Sequence, residues 1–447
     1  GVMRAEGDGN FPKLASYYIE ETGVLSEIEN LTYRDMDGNI CETPWAEPIS
    51  MDEMPFAYEN LHDFEHKIIY YESSRGCPFR CSYCLSSIDK RVRFRSLALV
   101  KKELQVFLDA RVPQVKFVDR TFNCNPRRTV ELLNWIQEHD NGVTNFHFEI
   151  AADITTEEEL AIMEQMRPGL IQLEIGVQST NPKTVEAIHR TMDLTKLAEV
   201  VSRVKGFGNI HQHLDLIAGL PYENLESFQK SFDDVYGMQP DQLQLGFLKV
   251  LKGSGMKEDA DGYEIRYHEH APYEVLTTRW LNYGEVLTLK GVEEMVEVYY
   301  NSRQFDRTIA HIMEQYDSPY RFFLELAEYY DRKGLSGIGH SRIARYEILR
   351  AFLEEKKLGG PDNDQFMVLD LYARENLKSR PAFAPDLSPY KEELKNLTRD
   401  YGRQVHVEVL EKASGPEYVM FDYRKRDPLT GEAWMEVLGG TGERHDG

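Results

Sequence analysis

The run Arg75-Gly76-Cys77-Pro78-Phe79-Arg80-Cys81-Ser82-Tyr83-Cys84 holds three of the chain's five cysteines within eight residues, spaced Cys-x3-Cys-x2-Cys. Three thiolates on one short loop can each bind a different iron of one inorganic cluster. A [4Fe–4S] cube takes four ligands, so three cysteines leave one iron open for chemistry. A zinc site pairs one Cys-x2-Cys knuckle with a second pair of Cys or His, and no second pair follows here. On spacing alone, zinc and a redox or structural role for the cysteines stay as alternatives.

Outward from this loop the chain alternates strand-like and helix-like segments. Strands are expected at 67–72, 114–119, 145–151, 170–178, 211–218 and 242–250, with helices such as 97–111 and 127–140 between them. Such alternation predicts an α/β fold with a parallel sheet or barrel, and right-handed crossovers would curl it. Period-2 reading sorts the faces. His147, Glu149 and Ala151 share one face of the third strand. Gln172, Glu174, Gly176 and Gln178 share one face of the fourth, with Leu173, Ile175 and Val177 opposite. His211, His213 and Asp215 line up on the fifth, and Gln242 and Gln244 on the sixth. Small barrels ordinarily fill with branched apolar side chains. A polar lumen instead suits a bound cofactor and substrate; the other reading is a solvent-exposed sheet face.

The cysteine run, with aromatic Tyr83 before its last cysteine, resembles the cluster motif of the radical S-adenosylmethionine (SAM) superfamily. Its Arg-Gly-Cys-Pro opening is similar to cobalamin-linked members, and the likeness covers about residues 67–257. It implies a partial (β/α)6 barrel, a [4Fe–4S] cluster on Cys77, Cys81 and Cys84, and SAM chelating the open iron. It also implies cleavage of SAM to a 5′-deoxyadenosyl radical, with Tyr83 packed over the cluster. Glu174-Ile175-Gly176-Val177-Gln178-Ser179, Ile188-His189-Arg190 and Asp215-Leu216-Ile217-Ala218-Gly219-Leu220-Pro221 resemble the coproporphyrinogen dehydrogenase-like branch. By that resemblance Gln178 and Asp215 bind the ribose, and Glu149 and Arg190 hold the methionine end. Acceptor and fork chemistry agrees with those roles. Where the family often has Gly-Gly-Glu, this chain has Phe117-Val118-Asp119-Arg120-Thr121-Phe122-Asn123. Asp119 reads there either as the ammonium binder or as a helix-start carboxylate. The sequence that precedes the cysteines in coproporphyrinogen dehydrogenase is absent. Methylthiotransferases need three further cysteines, and only Cys41 and Cys124 remain; Cys124 reads as a small buried residue.

At 447 residues the chain predicts two or three domains. Residues 1–66 read as an end-piece and linker, with 30–56 a crossing segment. The opening Ala5-Glu6-Gly7-Asp8 resembles, with departures, the last turn of the cobalamin-binding domain that precedes many radical SAM cores; an ordinary N-terminal strand is the other reading. Residues 67–257 form the core. Residues 258–447 read as a mostly helical C-terminal domain, with helices at 307–333, 341–357, 363–378 and 388–401 and a terminal hairpin. This part resembles an uncharacterised region of cobalamin-linked radical SAM proteins. A net charge of −23, from 52 basic and 75 acidic residues, disfavours nucleic acid and anionic membranes. The basic run Lys90-Arg91-Val92-Arg93-Phe94-Arg95 reads as a solvated or SAM-facing loop. No apolar stretch approaches the ~20 residues that span a bilayer. The cysteines offer no disulfide framework, which fits a reducing cytoplasm. The resemblance further implies an electron donor such as flavodoxin or ferredoxin and a small-molecule or peptide substrate. The alternatives are a coproporphyrinogen dehydrogenase-like oxidoreductase and a non-catalytic iron–sulfur scaffold or carrier.

Overall fold

A computed structural model describes residues 1–438 except 59, 65, 66, 89, 90, 402 and 403. Six strands, β1 (Ile69–Tyr71), β2 (Gln114–Phe117), β3 (Asn145–Ile150), β4 (Ile171–Gln178), β5 (His211–Ala218) and β6 (Gln242–Phe247), lie side by side in chain order. Every neighbouring pair is parallel. Helices Leu97–Asp109, Pro126–Glu138, Glu157–Glu164, Leu194–Phe207 and Leu225–Gly237 return the chain between strands. This is the expected α/β architecture, an open barrel with β1 and β6 as its edges.

The faces follow the pleat. On β4, Ile171, Leu173, Ile175 and Val177 are fully buried in the main apolar core, while Gln172, Glu174, Gly176 and Gln178 are half-buried. Register stacks the polar faces into layers. Lys116, His147, Gln172 and His211 share one layer, and Glu149, Glu174, His213 and Gln242 the next. Gly176, Asp215 and Gln244 form a third, nearest the strands' C-terminal ends.

Side chains close both edges. The Tyr58 hydroxyl accepts from Tyr70 N (3.1 Å) and donates to Tyr70 O on β1. At β6, Leu243 N donates to Asn301 Oδ1 and Asn301 Nδ2 donates to Leu243 O, both at 2.9 Å. An edge strand otherwise offers unpaired backbone groups to other chains.

Past β6, a small unit, including the hairpin Arg266–Tyr267 and Val275–Thr277, precedes helix Tyr283–Val296, which runs on through a π-helical turn, Glu297–Asn301. The helix expected at 307–333 is two, Asp306–Met313 and Pro319–Lys333. Ser318 accepts from Arg321 N and Pro319 opens the second helix, so a new N-terminus forms there. Helices Arg342–Glu355, Pro361–Arg374 and Lys391–Tyr401 follow. The terminal hairpin gains a third strand, Val405–Lys412, beside Gly415–Arg426 and Ala433–Leu438. The apolar core continues without a break from Ile69 to Leu371, across residue 257.

The stretch 30–56 is more structured than a crossing segment. Leu31–Arg34 and Ile40–Glu42 form a hairpin that takes Val2–Met3 as a third antiparallel strand. Asp35 Oδ1 accepts from Asp37 N and Asn39 N, and Gly38 sits at φ 88°, a turn built by an Asx residue and glycine. No helix among the described residues is long and apolar enough to cross a membrane.

Candidate active site

The cysteine loop follows β1 and is held from three sides. Gly76 has φ 98°, and a Cβ there would lie 2.2 Å from the Arg91 carbonyl oxygen, so only glycine fits. Ser82 N donates to Ile188 O (2.9 Å), and Met256 N donates to Ser82 O (2.8 Å). Cys77, Cys81 and Cys84 all line one cavity of about 190 Å³ over the strands' C-terminal ends. Cys77 Sγ lies 3.6 Å from Thr121 Oγ1, and burial pushes its thiol up. Ionised sulfur would therefore come with a bound metal, which deprotonates a coordinating thiol.

Glu149, Glu174 and Asp215 line the cavity, and histidines pair with two of them. Burial pushes Glu149 up to about 7, aided by Glu174 and opposed by Arg120. The His147 imidazole, 3.0 Å away through Nε2, holds Glu174 down at about 2, with Lys116 Nζ at 2.9 Å assisting against burial. His213 Nε2 lies 3.1 Å from Asp215 Oδ1. Burial raises Asp215; burial lowers His213, but its pairing with Asp215 outweighs this and raises it. Burial lowers His211. Gln178 ends β4 at φ 71°, and its Oε1 is buried with no hydrogen-bond partner among the described residues. A Cβ on Gly176 would sit 2.3 Å from Gln178 Nε2, so the glycine makes room for that amide. Arg190 reaches Cys81 Sγ at 3.7 Å and the Tyr83 hydroxyl at 3.4 Å through Nη1, and donates to Gly176 O through Nη2.

Of the residues singled out in the sequence, Cys77, Cys81, Cys84, Tyr83, Glu149, Gln178, Arg190 and Asp215 line this one cavity. Asp119, expected as a cofactor binder or a helix-start carboxylate, does not line it. Its carboxylate is fully buried and accepts four hydrogen bonds, from Ser73 N (2.7 Å), Ser73 Oγ (2.6 Å), Ser74 N (3.1 Å) and Ser74 Oγ (2.8 Å). It fastens the end of β2 to the segment that leads into the cysteines. Its neighbours Arg120 and Thr121, not singled out from the sequence, line the cavity instead. Cys41 sits on the N-terminal hairpin, with Sγ 3.7 Å from Asp35 Oδ2. Cys124 is half-buried, its thiol pushed up to about 11 by burial. In the basic run, Arg93 pairs with Glu6 and donates to Ile49 O, and Arg95 is buried against Glu103; Lys90 lies outside the described residues. Three sulfurs facing one cavity with an unpartnered amide oxygen and half-buried carboxylates fit a three-cysteine cluster with SAM beside it.

Comparison with known proteins places the fold among relatives. Residues 71–235 match the radical SAM superfamily, and residues 261–422 match a protein family of unknown function, DUF4080. An uncharacterised methyltransferase of Pyrococcus horikoshii is 24% identical over 295 residues, 64% of this chain and 61% of that protein. Oxygen-independent coproporphyrinogen III oxidase of Salmonella typhimurium is 25% identical over 196 residues, 41% of this chain and 39% of that enzyme. The chain thus spans less than two thirds of either relative. Among solved structures, the radical SAM methyltransferase TsrM of Kitasatospora setae aligns at TM-score 0.50 and 16% identity, over 61% of this chain and 57% of that one. The cobalamin-dependent radical SAM enzyme OxsB aligns at 0.52 and 14%, over 82% and 62%. These structures share the fold. Residues 71–235, which carry the cysteine loop and most of the parallel barrel, thus match the radical SAM superfamily.

Proposed function

We propose that Cys77, Cys81 and Cys84 hold a [4Fe–4S] cluster, and that the chain binds and cleaves SAM in the barrel lumen to act on a small-molecule or peptide substrate. One observation carries this reading. The three sulfurs face the same cavity as Glu149, Gln178, Arg190 and Asp215, which come from β3, β4, the turn after Pro182–Ala187, and β5. A carrier or scaffold needs no such convergence of ribose and amino-acid binders. When bound and reduced, the cluster supplies the electron that splits SAM into methionine and a 5′-deoxyadenosyl radical.

The protein's own part is placement. Asp215 and the unpartnered Gln178 Oε1 offer acceptors to the ribose hydroxyls. Glu149 accepts from the amino group of the methionine end. Arg190 keeps Tyr83, Cys81 and the Gly176 carbonyl in fixed relation. Apolar packing around Tyr83, with Leu220, Leu248 and Val275, keeps bulk water from that side of the site, which protects a reactive radical.

Methyl transfer is favoured over coproporphyrinogen oxidation within this class. The methyltransferase of P. horikoshii aligns over 64% of the chain, against 41% for the oxidase. Cobalamin enters through sequence resemblance and the structural relatives. Glu6 and Asp8, on the turn compared with a cobalamin-binding domain, pair with Arg75 and Arg93 instead, so no residue of this chain is assigned to cobalamin. A cytoplasmic setting and a flavodoxin- or ferredoxin-type donor complete the reading. Anaerobic reconstitution with iron and sulfide, then dithionite and SAM, should release 5′-deoxyadenosine. A protein that holds the cluster yet releases none is a scaffold or carrier, and the proposal fails.

A further inference from the structure

Arg120 stands out among the cavity's cations. It lies three residues beyond β2, beside Thr121, whose hydroxyl approaches Cys77 Sγ. Its side chain is exposed and, among the described residues, donates no hydrogen bond and pairs with no carboxylate within ion-pair distance. It lines both this cavity and a second one of about 260 Å³, which Glu6, Ser74, Gly76 and Leu85 also line. The other cavity arginine, Arg190, is half-buried and already directed at Tyr83, Cys81 and the Gly176 carbonyl. Arg120 and Glu149 are also electrostatically coupled. A guanidinium and a carboxylate near each other beside the cysteine loop present one group for each charged end of an α-amino acid.

Resting on the cofactor reading above, we infer that Arg120, rather than Arg190, is the carboxylate arm of the SAM site, with Glu149 as its amino arm and Arg190 a positioning residue. A planar fork suits a carboxylate, and an arginine without a protein partner gives up no existing contact to bind one.

The test compares three ligands on the anaerobically reconstituted full chain by calorimetry: SAM, decarboxylated SAM, and 5′-methylthioadenosine, which lacks the amino-acid end. Wild type should prefer SAM over decarboxylated SAM. Arg120→Ala should cut that preference about tenfold, the scale of one charge-assisted contact, and leave 5′-methylthioadenosine affinity unchanged. A merely structural role would weaken all three ligands together and overturn the inference. Arg190→Lys should keep the preference while altering the electron paramagnetic resonance signal of the reduced cluster. If Arg120→Ala loses iron, Arg120→Lys carries the test, because it keeps charge but not the fork; an unchanged preference there overturns the assignment. If wild type binds SAM and Arg120→Ala retains its preference, Arg120 is not the arm. If wild type binds no SAM, the cofactor reading falls and this inference with it.

Discussion

Cys81 and Cys124 differ in what surrounds the sulfur. Cys81 faces the shared cavity within reach of Arg190, whereas Cys124 lies off it, its thiol pushed up to about 11 by burial. Cys81→Ala should therefore abolish bound iron and sulfide after reconstitution, while Cys124→Ala and Cys41→Ala retain about four irons per chain; iron loss in either control refutes the ligand set. Glu223 offers a pH test away from the cavity. It is fully buried, accepts from Ser179 Oγ (2.7 Å) and Ser231 Oγ (3.0 Å), and burial pushes it up to about 7 from 4.5. Below about pH 4.5 the folded and unfolded chains both carry this proton. Between there and 7 the unfolded chain ionises first, so the group lowers stability as pH rises, with the full cost above 7. Glu223→Gln mimics the protonated acid and should raise stability at pH 8 by on the order of 2–3 kcal/mol, with little change at pH 4.5. Equal urea midpoints for wild type and variant at pH 8 would contradict it. At this scale the sequence was legible where chemistry constrains spacing, as in the cysteines and Gln178. Asp119 stayed ambiguous because a carboxylate at a strand end looks the same whether it lines a cavity or ties down a loop. Arg120 was passed over because a loop arginine has no periodicity to mark its direction.

At the scale of elements, the two sheet edges show how local side chains finish what strands leave open. Asn301, at the end of the π-helical turn, supplies one donor and one acceptor to Leu243 and so imitates a neighbouring strand. Asn301→Ala should cost about 1–3 kcal/mol, the desolvation penalty for leaving partly buried backbone groups unpaired. It should also speed amide exchange at Leu243 selectively among β6 amides. Exchange that accelerates evenly across the sheet would mean that Asn301 acts on global stability and not on the edge. β4 was readable because the alternation of Leu173, Ile175 and Val177 with Glu174, Gly176 and Gln178 is sustained over eight residues, whereas β1 and β2, of three and four residues, followed from their places in the strand–helix alternation. Leu31–Arg34 and Ile40–Glu42 span four and three residues, too few for a period to register. Their Asp35–Gly38 turn was the available signal. Val405–Lys412 alternates only in part, since Glu408 is buried against Arg380 and His406.

For the whole molecule, the question is whether the radical SAM region is stable without the C-terminal helices. Leu289, Val292, Met295 and Tyr299 are at most 1% exposed and belong to the same apolar core as Phe232 and Leu243. Asp233, on a barrel helix, accepts from Tyr320 N (2.8 Å) and Ser318 Oγ (2.7 Å). Val275 packs in the cluster that surrounds Tyr83, so the segment beyond residue 257 also supports the cysteine loop. Burying a large apolar side chain contributes roughly 1.5–3 kcal/mol, so these four alone are worth on the order of 6–12 kcal/mol, an upper bound. That matches the whole net stability of an ordinary domain, about 5–15 kcal/mol. A chain ending at residue 257 should therefore aggregate on expression and hold no cluster after refolding and reconstitution. The same truncation would leave Leu243 without Asn301, turning β6 into an open apolar edge. Soluble yield, iron content and light scattering of the 1–257 fragment decide the matter. A monomeric fragment with about four irons would show that the barrel folds alone and that the C-terminal helices serve another purpose than completing its core.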